Sequence, residues 1–136
     1  MIDLHATTAT DLMSRELVLI DSSASLQRAA EQMSEMGIQS LLIDLEQPGR
    51  GLGIVTTKDI VQLLGNMEPR YLEEVTVADV MSCPAISVPH DMCVFDCVNL
   101  MLMSGVRRVV VLNGSVPVGL LSYTDVLHAA AGREKH

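Results

Sequence analysis

Aromatic residues are nearly missing from this sequence of 136 residues, which contains one Phe, two Tyr and no Trp. The core must therefore be aliphatic, with nine Met residues available to fill irregular gaps. Basic residues are also few: nine Lys and Arg face 17 Asp and Glu, for a formal net charge of −8. This balance argues against nucleic-acid binding, which needs a basic surface, and against adsorption to an anionic membrane.

Long apolar runs and paired cysteines are absent as well. No run approaches the roughly 18 apolar residues that a membrane-spanning helix needs. The opening MIDLHATTATDLM lacks the basic and apolar regions of a secretory signal. Cys83, Cys93 and Cys97 are odd in number and lack paired spacing, which is typical of reduced thiols. We therefore expect a cytoplasmic protein.

What the chain does contain is an internal repeat. TATDLMS at 8–14 matches TVADVMS at 76–82, an offset of 68 residues (76 − 8). We call these two stretches the opening segments. Two seven-residue stretches, which we call the heptads, are GIVTTKD at 53–59 and GLLSYTD at 119–125; they match at an offset of 66 (125 − 59). The first repeat therefore carries two extra residues within 44–52, where we expect a hairpin loop. We assign residues 1–65 to the first repeat, 66–75 to a linker and 76–136 to the second repeat.

Each repeat is predicted to fold in the order β-α-β-β-α. Helix caps, glycine stops and an Asn-Gly hairpin turn at 113–114 support this order. The predicted elements are 17–20, 22–37, 40–45, 51–56 and 59–65 in the first repeat, and 85–88, 91–105, 108–112, 116–122 and 125–132 in the second. One copy has too small a core for comfortable stability. We therefore expect an α/β (α+β) fold in which the two repeats pack with pseudo-twofold symmetry.

The chain resembles a tandem pair of CBS (cystathionine beta-synthase) domains, also called a Bateman module. The resemblance covers about residues 8–131. It rests on DLM and DVM in the opening segments, on MSEMGIQSLLI and MLMSGVRRVVVL in the middle of the repeats, and on the two heptads.

The resemblance implies a non-catalytic regulatory module rather than an enzyme. Such modules commonly bind AMP, ADP or ATP in clefts between the two repeats, and less often S-adenosylmethionine or another adenosyl ligand. No cofactor, metal or nucleic acid is implied. The resemblance also implies a disc-like homodimer and an effector protein, either attached or acting in trans.

The resemblance also implies two sites, each completed by the opening segment of the other repeat. The aspartate would accept hydrogen bonds from the ribose diol, and the hydroxyls nearby would meet phosphate. The first site would contain Asp59, Thr56, Lys58, Ile54, Thr76, Asp79, Met81 and Val106. The second would contain Asp125, Ser122, Thr124, Leu120, Thr8, Asp11, Met13 and Ile38.

Positive charge for a phosphate group differs between the repeats. Arg107 and Arg108 follow Gly105, whereas Gln39 and Ser40 stand at the equivalent places. Neighbours on a strand face opposite sides. We favour Arg107 as the phosphate contact and expect two unequal sites.

Simpler interpretations stay open for several of these residues. A hydroxyl followed three residues later by an acid is also a helix-capping box, which fits Thr56 and Ser122. Asp11 and Asp79 could cap a short helical turn. Cys93 and Cys97 are four residues apart and could share a metal. The repeat, however, aligns Cys97 with Ala29 on the apolar core stripe of the predicted helix, and no His or second Cys pair completes a site.

Two other functions compete with nucleotide sensing. One is a dimerisation or protein-interaction module without a ligand, in which the aspartates serve only as caps. The other is a sensor of S-adenosylmethionine or an NAD-type adenosyl ligand. An enzyme has no support in the sequence, since no catalytic arrangement of Ser, His and Asp or of paired carboxylates can be read from it.

Overall fold

The computed structural model describes residues 1–45 and 51–132. In these ranges, and in chain order, the elements are α1 (Ala9–Leu12), α2 (Leu26–Met36), β1 (Ser40–Asp44), β2 (Leu52–Thr56), α3 (Thr57–Leu64), a 3₁₀ helix (Pro69–Glu73), α4 (Val77–Val80), β3 (Ser87–Pro89), α5 (Val94–Ser104), β4 (Arg108–Asn113), β5 (Val116–Ser122) and α6 (Tyr123–Ala130). This mixture of helices and strands confirms the predicted α+β class.

The chain divides into two compact units that do not coincide with the sequence repeats. The continuous unit is Val18–Ala85, and the discontinuous unit combines Met1–Leu17 with Ile86–His136. Each unit therefore contains one opening segment, and that segment comes from the other repeat. The limits 1–65, 66–75 and 76–136 rest on sequence similarity between the repeats and stay a prediction. The two units instead describe which residues pack together.

The continuous unit is built on an antiparallel pair of strands. β1 pairs with β2 so that Ser40 lies opposite Thr56. The buried core includes Leu26 and Met33 of α2 together with Leu41 and Val55 of the strands. The strand pair leads directly into α3, which begins at Thr57 and thereby places Asp59 in its first turn.

The discontinuous unit is built on a three-stranded sheet in the order β3-β4-β5. β3 is parallel to β4, and β4 is antiparallel to β5 with Arg108 opposite Ser122. Gly114 supplies the positive φ of 64° in the predicted Asn-Gly hairpin turn. The core includes Met101, Val109 and Leu121. Cys97 is fully buried on α5, as Ala29 is at the equivalent place on α2, so the predicted core stripe is confirmed.

The strand predicted at 17–20 is wrong as a strand, because the structure reduces it to one parallel bridge between Leu19 and Leu42. The N–H of Ile20 donates to the carbonyl of Leu42 at 2.9 Å, and the N–H of Leu42 donates to Val18 at 2.9 Å. The equivalent stretch, β3, pairs over three residues. Both repeats thus have a parallel pairing at this place, and in the first repeat it is shorter.

Helices α2 and α5 end at the glycines that the sequence predicted, whereas the predicted linker contains a helix that packs into the core. Ser25 accepts a hydrogen bond from the N–H of Arg28 at the start of α2, and Gly37 and Gly105 end α2 and α5 in the left-handed conformation. Residues 66–75 include the 3₁₀ helix, whose Leu72 packs into the core of the continuous unit. The predicted hairpin insertion falls largely on 46–50, outside the described residues.

Candidate functional site

The two heptad aspartates occupy the first turns of α3 and α6. Oδ2 of Asp59 accepts from the N–H of Thr56 at 2.8 Å and from its Oγ1 at 3.1 Å. The N–H of Asp59 donates back to Thr56 Oγ1 at 3.4 Å. In α6, Oδ2 of Asp125 accepts from the N–H of Ser122 at 2.9 Å, and the N–H of Asp125 donates to Ser122 Oγ at 3.3 Å. Both pairs are capping boxes, which confirms the simpler interpretation of these residues.

Capping uses only part of what the Asp59 carboxylate can accept, because an ionised carboxylate has two acceptor oxygens. Only Oδ2 of Asp59 has a hydrogen-bond partner among residues 1–45 and 51–132. Its Oδ1 can therefore accept further hydrogen bonds. Asp125 is more deeply placed, with 8% of its surface exposed, whereas Asp59 is partly exposed.

The opening segment 8–14 lies beside the heptad that contains Asp125. The N–H of Ser14 donates to the carbonyl of Leu120 at 2.8 Å, and the N–H of Leu120 donates to Ser14 at 2.9 Å. The short helix α1 contacts both α6 and β5. A residue of the first repeat is thereby held against the strand that precedes Asp125.

The continuous unit repeats this arrangement with the other opening segment. The N–H of Ser82 donates to the carbonyl of Ile54 at 2.9 Å, and the N–H of Ile54 donates to Ser82 at 3.0 Å. Ile54 lies two residues before Thr56, as Leu120 lies two residues before Ser122. Both units thus have an acid in the first turn of a helix and a docked segment from the other repeat.

Asp11 and Asp79 also act as caps, as the alternative interpretation predicted. Oδ2 of Asp11 accepts from the N–H of Thr8 at 2.9 Å and from its Oγ1 at 3.1 Å. Oδ2 of Asp79 accepts from the N–H of Thr76 at 3.1 Å. Both carboxylates are exposed, so capping leaves them open to solvent.

The structure sorts the predicted site residues by unit. The continuous unit contains Ile54, Thr56, Lys58, Asp59, Thr76, Asp79 and Met81, and the discontinuous unit contains Thr8, Asp11, Met13, Arg107, Leu120, Ser122, Thr124 and Asp125. Val106 and Ile38 belong in each case to the other unit from the rest of their predicted set. Lys58 and Thr124 are exposed, one residue before their aspartates.

Arginine is concentrated next to the Asp125 helix. The carbonyl of Arg107 accepts from the N–H of Tyr123 at 2.9 Å, which ties the start of β4 to the first residue of α6. The Arg107 side chain is exposed, and Arg108 is half-buried directly across from Ser122. Sequence reasoning favoured Arg107 and missed the register that brings Arg108 opposite the cap. The signal available was the Asn-Gly turn, across which Asn113 pairs with Val116; the register shift between Val111 and Leu112, which moves Arg108 opposite Ser122, has no signal in the sequence.

The three cysteines, all within the described ranges, form no disulfide. Among the described residues no group of three His, Cys, Asp or Glu side chains could hold a metal ion. Cys97 is fully buried. Burial raises the pKa of its thiol to about 11, and the negative charges of Cys93 and Asp96 add to the effect.

We expect this raised pKa to make stability fall at high pH. The folded chain retains the Cys97 proton above the ordinary thiol pKa of 9.0, whereas the unfolded chain releases it. The stabilisation is therefore complete below pH 9 and is lost as the pH rises towards 11. Urea unfolding between pH 8 and 11 should show a shallower decline for Cys97→Ala, since alanine stands at the equivalent position 29. Equal slopes for both chains would contradict this assignment.

The CBS domain family model matches residues 9–66 and again 77–132, so the chain belongs to the CBS domain family, with two copies of the domain. The resemblance that rested on the opening segments and heptads is thereby confirmed. In the part of the chain that the structure covers, no helix has the length and apolar character needed to cross a membrane.

Individual proteins are also similar to this chain. An uncharacterised protein of Methanopyrus kandleri is 28% identical over 126 residues, which are 91% of this chain and 63% of that protein. The hexameric CBS-CP12 protein from bloom-forming cyanobacteria is 25% identical, with a TM-score of 0.81 over 88% of this chain and 66% of that one. The chain thus spans just under two thirds of the length of both.

A third similar protein has a known ligand. It is a CBS domain pair solved in complex with 5′-methylthioadenosine and S-adenosyl-L-methionine. It is 22% identical, with a TM-score of 0.77 over 94% of this chain and 98% of that chain. At this identity the likeness establishes the shared fold.

Proposed function

We propose that the protein is a non-catalytic regulatory module that binds an adenosine-containing ligand, AMP, ADP or ATP, at Asp59 and at Asp125. The observation that carries the proposal is the duplicated arrangement: in each unit, an acid in the first turn of a helix lies near an opening segment docked from the other repeat. A capping role alone explains the acid and the hydroxyl. It does not explain why the same docked segment accompanies both.

The chemistry of adenosine suits these groups. A carboxylate can accept hydrogen bonds from both hydroxyls of a ribose, and Oδ1 of Asp59 is available for this. The helix that follows presents backbone N–H groups at its start, which favour an anionic phosphate. Met81 and Leu120 are half-buried and supply apolar surface of the kind that packs against an adenine ring, while Met13 and Ile54 are buried behind it.

The ligands of the third similar protein support an adenosyl ligand as the common element, since 5′-methylthioadenosine and S-adenosyl-L-methionine share adenosine with AMP. S-adenosylmethionine and NAD are therefore the alternative ligands. The ribose and adenine contacts would serve all of them. The group on the ribose 5′ carbon is what distinguishes them, so the basic residues near the site decide the preference.

Those basic residues make the two sites unequal. The discontinuous unit has Arg107 and Arg108 at the start of β4, where the continuous unit has Gln39 and Ser40. Lys58 precedes Asp59, whereas Thr124 precedes Asp125. Arg108 is the better placed of the two arginines, because it lies across from the cap residue Ser122. We therefore expect the Asp125 site to prefer the more highly phosphorylated nucleotides.

Thermal unfolding tests the proposal directly. AMP, ADP, ATP, NAD, 5′-methylthioadenosine and S-adenosylmethionine would each be added at millimolar concentration, with ribose 5-phosphate and GTP as controls. A ligand present at 100 times its Kd adds about 2.7 kcal/mol to the free energy of unfolding. Adenosine-containing compounds should raise the melting temperature more than the controls do. No shift with any of them would refute the proposal.

Regulation requires that the ligand bind one conformation better than another. We propose that an effector reads this difference, either on a partner chain or on further residues of a longer protein. We also propose that the module is cytoplasmic, because its three cysteines lack paired spacing and form no disulfide with one another. A nucleotide hydrolysis assay should stay at background if the module is not an enzyme.

A homodimer or other self-association is a second role, favoured by apolar side chains left on the surface. Leu102 and Met103 on α5 are 61% and 86% exposed, and Leu127 on α6 is 65% exposed. The residues of α2 equivalent to Leu102 and Met103 are Ser34 and Glu35, so this face is apolar in one repeat only. Such exposure on a monomer often marks an interface.

We expect Leu102→Glu to reduce self-association, because a charge would be buried at the contact. Light scattering after size exclusion would measure the mass, and Ser34→Glu on the equivalent face of α2 is the matched control. If Leu102→Glu and the parent chain have the same mass, or if the parent is a monomer at all concentrations, this role is wrong.

A further inference from the structure

Each heptad begins with a glycine, and a methionine side chain occupies the space that a side chain on that glycine would need. A Cβ placed on Gly119 would come 2.5 Å from Sδ and 2.9 Å from Cγ of Met13. A Cβ placed on Gly53 would come 2.6 Å from Sδ of Met81. These separations are well inside van der Waals contact, which for carbon atoms lies near 3.5–4.0 Å. Any side chain at either position would have to displace the methionine.

Neither glycine is explained by backbone conformation. The glycines with positive φ are at other positions, such as Gly37 and Gly105. Gly53 and Gly119 lie inside β2 and β5, where glycine ordinarily weakens a strand. Glycine within a strand often marks a place where another part of the chain approaches closely. Here the approaching part is the opening segment.

We propose that Gly119 and Gly53 are positioning residues, which admit the methionine of the opening segment and so hold that segment beside the heptad aspartate. The consequence for binding rests on the function proposed above. In the discontinuous unit the opening segment pairs with β5 through the two hydrogen bonds between Ser14 and Leu120. In the continuous unit the same pairing joins Ser82 to Ile54.

The two glycines differ in how well the surrounding atoms would accommodate an added methyl group. The nearest neighbours of a Cβ at Gly119 include the Ser14 carbonyl oxygen at 2.7 Å, which is backbone. At Gly53 the next contact after Met81 Sδ is Cβ of Ile43 at an acceptable 3.4 Å. A methyl group at Gly53 therefore conflicts with one flexible thioether, whereas at Gly119 it also pushes the opening segment itself away. Gly119→Ala should have the larger effect.

The experiment compares Gly119→Ala, Gly53→Ala and the control Gly65→Ala in the full chain. Gly65 has an ordinary φ of −71°, and its nearest contact for a Cβ is at 3.4 Å. NMR with labelled methionine methyl groups would follow Met13 and Met81, and amide hydrogen exchange would follow Ser14, Leu120 and Ile54. Calorimetry with AMP and 5′-methylthioadenosine would measure binding.

Gly119→Ala should shift the Met13 methyl signal, increase exchange at the Leu120 amide by at least about tenfold, and weaken binding at the Asp125 site by at least about tenfold. Binding at Asp59 should not change, and Gly65→Ala should match the parent chain. Adding Met81→Ala to Gly53→Ala should restore the Ile54 amide to the exchange rate of Met81→Ala alone. Adding Met13→Ala to Gly119→Ala should restore the exchange rate of the Leu120 amide only in part, since the alanine Cβ would still clash with the Ser14 carbonyl oxygen.

Unchanged Met13 signals and exchange rates in Gly119→Ala would overturn the positioning role. If the opening segment is displaced in Gly119→Ala but the Asp125 site binds the probes as tightly as in the parent chain, the link between the glycine and binding is wrong. If the parent chain binds neither probe and no adenosine-containing compound, ATP included, raises its melting temperature, the proposed function fails. The positioning role is then judged by the methyl signals and exchange rates alone.

Discussion

Asp125→Ala is expected to weaken ligand binding in the discontinuous unit strongly and to lower stability only modestly. Losing a hydrogen bond to a charged group weakens binding by about 1.5–3 kcal/mol, or roughly 10- to 150-fold in Kd. Losing the acid of a capping box costs about 1 kcal/mol of stability. Calorimetry with AMP and 5′-methylthioadenosine would give the first quantity, and urea unfolding the second.

Asp125→Asn separates these two effects. An amide oxygen can still accept from the N–H of Ser122, so stability should stay near that of the parent chain, while the charge that a ribose diol would meet is gone. Asp91→Ala, which removes an exposed acid ahead of α5, is the control for the change in net charge. If Asp125→Ala and Asp59→Ala both bind nucleotide as the parent does, neither acid contacts the ribose.

Met101→Ala is expected to have the largest effect on stability. Met101 is fully buried on α5, in the core with Val109 and Leu121. Truncation of a buried methionine leaves a cavity and costs about 2–5 kcal/mol. Met103 lies two residues later on the same helix and is 86% exposed, so Met103→Ala should change stability by less than about 0.5 kcal/mol.

Chemical unfolding followed by circular dichroism would measure both variants. Met101→Leu retains the side-chain volume and should cost less than about 1.5 kcal/mol. Similar losses for Met101→Ala and Met103→Ala would contradict the packing of α5. Because the chain has two compact units, a second transition in the unfolding curve should be tested with an independent probe.

Local features were predictable because their causes lie within a few residues. The capping boxes need a hydroxyl and an acid three positions apart, and Thr56 with Asp59 satisfies that rule in any context that starts a helix. Gly37 and Gly105 end their helices for an equally local reason, since glycine adopts positive φ without strain. The same patterns left the role of the aspartates open, because a cap and a ligand contact use the same side chain.

Pairing lengths and close approaches were not predictable in this way. The stretch at 17–20 has the apolar content of a strand, yet only Leu19 forms a bridge, because strand length depends on the partner strand as well. Arg108 opposite Ser122 and Met13 against Gly119 are contacts between residues distant in the chain. Periodicity within one segment contains no information about which distant segment will lie against it.

The sequence by itself determined that the chain has two similar halves, which helices are capped, and which family it belongs to, since all of these are written in residues close together or in the repeat. The family resemblance implied which opening segment accompanies which aspartate, but only the tertiary structure shows the contacts that decide it. TATDLMS and TVADVMS are nearly interchangeable as sequences. Packing distinguishes them, because Met13 and Ser14 lie against β5 in one unit, and Met81 and Ser82 lie against β2 in the other.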